Sequence, residues 1–195
     1  MTKGEETRQF IIEQAAPVFN TKGIAATAMN DIKDITRLSK GSLYVHFENK
    51  ESLVASAVDY NMNILVTQIK NAVNRVTNPK EKLFAYLEVF GTPTDHPVKG
   101  GCPIVNFGTE ADDTNEEIRK KVVQVIEGGE ARIVSIIQQG IEEGIFNPKW
   151  NYKEFATLMF TMIEGGVVLS RITGDNRKMR IIIRNIKKMI EEQVI

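Results

Sequence analysis

Ser39-Lys40-Gly41-Ser42-Leu43-Tyr44-Val45-His46-Phe47, followed by Asn49-Lys50-Glu51, is the stretch that decides how the chain is read. Ser39 offers an oxygen to the free N–H groups of a helix beginning at Lys40. Leu43 and Phe47, four residues apart, fall on one side of that helix. Lys40, Ser42, Tyr44, Val45 and His46 are left for its outer faces. The spacing predicts a short helix over 40–47, packed from behind through Leu43 and Phe47 and open in front.

Just upstream, Thr27 is placed to cap a helix over 28–36, and only Arg37 and Leu38 separate that helix from the next. Two short helices so closely joined have helix-turn-helix spacing. Ile32 and Ile35 are the expected seat for Leu43 and Phe47, together with a first helix over 7–21. The outward residue types suit duplex DNA. Gly41 lets the backbone approach a phosphate, and Lys40 supplies a charge there. The Tyr44 hydroxyl can donate to a phosphate, Ser42 can bond to a base edge or phosphate, and Val45 can touch a thymine methyl. Lys50, in the first turn after a capping Asn49, adds positive charge beside free backbone N–H groups.

Overall charge says nothing of this, because the 195 residues carry 25 Lys plus Arg and 25 Asp plus Glu. Distribution does: residues 36–50 hold Arg37, Lys40 and Lys50 against Glu48 alone, whereas residues 101–150 are rich in acid. A second basic run, Arg177, Lys178, Arg180, Arg184, Lys187 and Lys188, alternates with Met179, Ile182, Ile183, Ile186, Met189 and Ile190. That pattern describes an amphipathic helix with a solvated face. The single cysteine, Cys102, excludes an intramolecular disulfide framework and a cysteine zinc cluster. Residues 1–9 are polar, and the apolar stretch 155–169 is broken by Glu164 and falls short of a bilayer span. A soluble, cytoplasmic protein without membrane contact is expected.

Apolar residues recur at helical spacing along the chain, and no alternating run marks a strand. The expected fold is all-α with nine helices: 7–21, 28–36, 40–47, 50–76, 79–90, 103–112, 115–143, 152–173 and 176 to the end. Asn78, Thr114-Asn115 and Asn151 each precede a helix with a carboxylate three residues on, the pattern of a capping box. Pro17 removes a bond to the carbonyl of Glu13 and is expected to bend the first helix. Gly128-Gly129 is expected to mark a close packing contact.

The residues from 39 to 47, with Gly23, Thr27, Ile32, Lys50 and Leu53, resemble the TetR family of bacterial transcription regulators. The resemblance implies a three-helix DNA-binding module over 1–50 and a helical ligand-binding and dimerisation domain over 51–195, linked through the helix that starts at Lys50. It places Thr27, Lys40, Gly41, Tyr44, Val45, His46 and Lys50 at the DNA, with one reading helix per subunit of a homodimer in successive major grooves. The last two helices would pair with their symmetry mates, and Gly165, Gly166 and Ser170 would permit close approach. The implied function is a ligand-responsive repressor of a pseudo-palindromic double-stranded operator, released when a small-molecule inducer binds.

One departure stands out. The family commonly has Gly in the turn where this chain has Arg37, and a left-handed backbone there would cost Arg about 1–2 kcal/mol. A phosphate contact by Arg37 would offset this. A further likeness, over 15–20 and over 101–106 continuing to 110–115, is to a branch of the family containing many sensors of small or reactive molecules. Cys102, at the start of a short helix whose N–H dipoles favour thiolate, is either a sensor or a small packing residue, and Phe107, Met159 and Met162 either line a ligand cavity or fill the core; with Asn106 they are the candidates for ligand binding or sensing. No spacing fits a metal, no cofactor is expected and no catalytic set is evident. Two rivals stay open: a helical thiol enzyme using Cys102 with His96, and a ligand-binding dimer without DNA activity.

Overall fold

The computed structural model describes residues 2–195. Among them the chain forms nine α-helices: α1 (Lys3–Lys22), α2 (Met29–Thr36), α3 (Lys40–His46), α4 (Lys50–Val73), α5 (Pro79–Glu88), α6 (Pro103–Ala111), α7 (Glu116–Glu142), α8 (Tyr152–Thr173) and α9 (Arg177–Glu191). A 3-10 turn at Pro93–Asp95 interrupts the loop before α6. The described residues contain no strand, only an isolated antiparallel bridge between Phe146 and Val194.

Two compact units result. The first comprises residues 1–64 with 98–123, the second residues 65–97 with 124–195. The chain therefore passes between the units three times.

In the first unit α1, α2 and α3 pack on one another, and α6 packs on α1. Ile11, Ile12, Ala15, Ala16 and Phe19 of α1 are buried, as are Leu53, Val54, Ala57 and Val58 of α4. Asn61 of α4, also buried, donates its amide to the carbonyl of Ala16 at 2.9 Å. The start of α1 lies four residues earlier than the apolar pattern indicated. Thr2 and Glu5 form a reciprocal capping box there, which stabilises a polar first turn that periodicity does not register. The helix continues through Pro17 without interruption.

The second unit is built on α8 packed against α9 and against the 3-10 turn. By length and composition α8 is apolar enough to cross a membrane, more so than the shorter stretch 155–169 indicated. Its Phe155, Met159, Phe160, Ile163 and Val167 are buried within the unit, which makes it a core helix. Gly166 has another use than the one expected: a methyl there would lie 2.8 Å from Ile182 Cδ1 and 2.9 Å from Met179 Cε, so it admits the chain's own α9. Ser170 is likewise fully buried. The last helix stops at Glu191, short of the expected end. Residues beyond it turn back, with Asn147 N–H donating to the Gln193 carbonyl at 2.8 Å and Ile195 N–H to the Ile145 carbonyl at 3.1 Å.

Side-chain caps form at two of the three expected helix starts. The Asn78 side chain accepts from Lys80 and Glu81 N–H, and Asn115 accepts from Ile118 N–H at 3.1 Å. Asn151 instead donates its amide to Glu154 at 2.5 Å and does not cap α8.

Within α7, Gly129 faces the Phe160 ring, the packing role expected of it, while Gly128 has nothing within 4 Å of a would-be methyl. A methyl on Gly140 would fall 2.2 Å from Phe146 Cδ2 and 3.1 Å from Pro79 Cβ. We expect Gly128→Ala to stabilise the protein by up to about 1 kcal/mol through helix propensity. Gly140→Ala should destabilise it by about 1–3 kcal/mol because overpacking outweighs that gain. Urea unfolding of the two variants side by side measures both signs.

Candidate nucleic-acid interface

A seven-residue helix is too short to be stable alone, so α3 exists because its neighbours hold it. Leu43 is fully buried and Phe47 is 2% exposed, the two positions assigned to the packed side. The guanidinium of Arg8 lies 4.7 Å from the centre of the Phe47 ring and also donates to Ser56 Oγ at 3.0 Å. Arg8 thus joins α1 to the end of α3 and to α4. Ser39 caps the helix as predicted, accepting from Ser42 N–H at 3.1 Å. Asn49 caps α4, accepting from Ser52 N–H at 2.8 Å.

The other side of α3 faces solvent. Tyr44 is 42% and Val45 79% exposed, Lys40 and Gly41 are exposed, and Ser42 and His46 are half-buried. The Lys40 ammonium sits 5.9 Å from the centre of the Tyr44 ring. Arg37 is also exposed, so one open surface carries two cations, a phenol and an apolar side chain. Ile35 belongs to the exposed set rather than to the expected seat, at 40%; Ile32 alone of that pair is buried.

Two predicted site residues are placed differently. Thr27 is fully buried, and its hydroxyl donates to the Gly23 carbonyl at 2.6 Å instead of capping α2. The N-cap position falls to Ala28, whose N–H donates to Asp31 at 2.7 Å. Lys22 donates to the same Asp31 oxygen at 2.7 Å. That ammonium, with the Ala28 N–H, holds the Asp31 carboxyl below the ordinary aspartate value. Lys50 is half-buried, and its ammonium donates to the Ile24 carbonyl at 2.5 Å. Lys50 therefore braces the turn between α1 and α2.

Glu110 was not singled out from the sequence, yet it holds the same turn. Its carboxylate accepts from Ile24 N–H at 2.8 Å and from Ala25 N–H at 2.7 Å. A signal was present: Asn106 and Glu110, four apart, are polar positions on a helix otherwise carrying Ile104, Phe107 and Ala111 inward. Asn106 donates its amide to the Asn20 carbonyl at 2.9 Å and the Gly100 carbonyl at 3.1 Å, which commits it to α1. Of the other sensing candidates, Cys102 is 2% exposed and Phe107 fully buried, both in the first unit. Met159 is buried and Met162 half-buried in the second.

This arrangement has known counterparts. Residues 11–57 match the model of bacterial regulatory proteins of the tetR family, and residues 79–186 match the tetracyclin repressor-like C-terminal domain. A TetR transcriptional regulator of Chloroflexus aurantiacus superposes with a TM-score of 0.94 at 35% identity, covering 100% of this chain and 98% of that one. The uncharacterized HTH-type transcriptional regulator YxaF of Bacillus subtilis is 26% identical over 99% of this chain and 100% of its own length. The HTH-type transcriptional repressor KstR2 of Mycobacterium tuberculosis is 29% identical over 71% of this chain and 68% of its own. The chain belongs to the TetR family and is a helix-turn-helix transcriptional regulator.

Arg37 adopts the left-handed backbone that the sequence flagged, with φ 57° and ψ 20°, the only non-glycine residue with positive φ among those described. Substitution Arg37→Gly should raise stability by about 1 kcal/mol, the steric relief less the greater freedom glycine has when unfolded. Thermal denaturation in the absence of DNA reads this directly.

Proposed function

We propose that the protein is a homodimeric, ligand-responsive repressor that binds a pseudo-palindromic operator and leaves it when a small molecule or reactive compound binds. Residues 1–50 are the DNA-binding module in this reading, and residues 51–195 the ligand-binding and dimerisation domain. The observation that carries it is the open face of α3, where Lys40, Tyr44 and Val45 stand clear of a helix anchored by Leu43 and Phe47. Arg37, Lys40, Gly41, Ser42 and Tyr44 contact phosphate or base edges, Val45 reads a thymine methyl, and His46 lies at the margin. Thr27 and Lys50 act through the backbone they hold, not through direct contact as the resemblance implied. Repression is favoured by the likeness to KstR2, and a cytoplasmic location is usual for such regulators.

Dimerisation is supported by a stripe on α8. Leu158, Leu169 and Ile172 are exposed, the last two at 49% and 76%, and they share one face with Gly165, where nothing lies within 4 Å of a would-be methyl. Ile181 of α9 is exposed as well. Such a stripe needs cover, and a second copy supplies it. Of the candidates for ligand sensing, Cys102, Phe107 and Met159 are buried and Met162 is half-buried, so sensing through the first three requires a more open conformation than this one. The rival reading of Cys102 as a catalytic thiol has against it that the side chain is closed to substrate in this fold.

Two measurements test the proposal. On duplexes selected from a random pool, Lys40→Ala should weaken binding to all sequences alike and reduce the slope of log K against log salt by about 1. Val45→Ala should change preference at one base pair and leave the slope alone. Equal effects of both on every duplex would contradict the assignment. Ile172→Glu should yield monomers in analytical ultracentrifugation and lower affinity for a two-half-site duplex by about a hundredfold, since the second half-site no longer binds as part of the same molecule.

A further inference from the structure

We propose that Glu110 is a positioning residue for DNA reading, the side chain that sets the elbow from which α2 and α3 depart. The inference rests on the reading of α3 as the DNA-contacting helix. It concerns how that helix is held, by a group outside the module that carries it.

The elbow is the segment 23–28 between α1 and α2. Gly23 leaves α1 with φ 90° and ψ 157°, a conformation that turns the next two N–H groups to one side. Both are taken by a single carboxylate: Oε2 of Glu110 accepts from Ile24 and Oε1 from Ala25. On the far side of the same residue the Ile24 carbonyl accepts from the Lys50 ammonium. One peptide segment is therefore gripped between an anion on α6 and a cation on α4, each half-buried. Hydrogen bonds to ionised groups are the strong ones, and a two-point grip fixes direction as well as distance.

A second contact one turn earlier on α6 makes the grip a matter of orientation. Asn106 holds the Asn20 carbonyl at the end of α1, and the buried Asn20 amide in turn donates to the Lys99 carbonyl at 2.8 Å and the Gly101 carbonyl at 3.0 Å. A methyl on Gly100 would lie 2.7 Å from the Asn20 carbonyl oxygen, so the loop before α6 is pressed against α1 backbone. Asn106 and Glu110 thus hold the chain on either side of Gly23. Translation or rotation of α6 cannot occur without turning the elbow, and α2 starts within a few residues of it. Ala25 is an exposed residue, where water could satisfy the N–H without ordering a long side chain. The geometry favours a carboxylate that aims the helices over one that only completes a hydrogen bond.

The test uses the full-length protein and the best duplex selected from a random pool by the unaltered chain. Glu110→Gln keeps one acceptor and turns an NH2 group toward the other N–H. Operator affinity should fall about tenfold with an unchanged salt slope, because no phosphate contact is lost. Amide hydrogen exchange at Ile24 and Ala25 should quicken. Glu110→Asp, which keeps the charge but loses reach, should lower affinity and quicken exchange in the same way, again at an unchanged salt slope, and serves if the first variant does not fold. Unchanged affinity in the folded variant, or a loss accompanied by a smaller salt slope, overturns the proposal. If Lys40→Ala still weakens binding in that case, the reading of α3 survives without the clamp; if Lys40→Ala is also silent, it is the DNA-reading assignment that has failed.

Discussion

Burial of Leu43 and Phe47 is the contact on which the rest depends. Each contributes roughly 1.5–3 kcal/mol when removed from water, and α3 is far too short to persist without them. Because both lie on one side, anchoring the helix leaves the opposite side free of structural duty. The residues there can be chosen for what they touch outside the molecule. Phe47 has a second role, since the guanidinium of Arg8 stacks over its ring and reaches Ser56. The end of the reading helix is thereby tied to α1 and α4, the elements that carry the buried side chains of the first unit.

The polar groups around α2 and α3 follow a complementary rule: cations near the open face of α3 are divided between outward and inward work. Lys22 and Lys50 are engaged with Asp31 and with the Ile24 carbonyl, leaving Arg37 and Lys40 on the open face. A neutral chain can still present a positive surface because few charges are needed once they are concentrated. The strain at Arg37 belongs to the same economy of space. Glycine would relax that turn, but only a side chain places a guanidinium beside the start of α3.

Much of this was legible in the sequence, and most of the failures concern polar side chains. Periodicity and caps located all nine helices because each buries an apolar face, and the expected bounds 115–143 and 152–173 were close to those observed. The packed and open sides of α3 followed from a four-residue spacing alone. What sequence could not supply was the destination of polar groups whose partners are distant in the chain. Lys50 has the residue type of a DNA contact, yet its ammonium points to the carbonyl of Ile24, 26 residues away; Thr27 turns to the nearby Gly23 carbonyl because it is buried in the turn instead of standing at a helix start. Glu110 was passed over because its partners are backbone N–H groups 85 and 86 residues away, and its spacing from Asn106 marks a polar position without naming what it meets. Ile35 misled for the opposite reason, as an apolar residue left exposed at 40%.

Adjacent residues on α8 show how finely one helix divides its duties. Gly165 and Gly166 differ by about 100° in direction, and the structure gives them opposite uses. Gly166 faces Met179 and Ile182, where even a methyl would collide, so it brings α9 close within one chain. Gly165 lies with Leu158, Leu169 and Ile172 on the uncovered side. Had both glycines been required between subunits, α9 would have to stand away from α8 and its buried Met179, Ile183, Ile186 and Ile190 would lose their seat. A single close approach inside the subunit therefore stiffens the pair of helices first, and the outer stripe is then presented on a rigid surface. In the proposed dimer such rigidity would matter, since any slack in that surface would become slack in the separation of the two α3 helices.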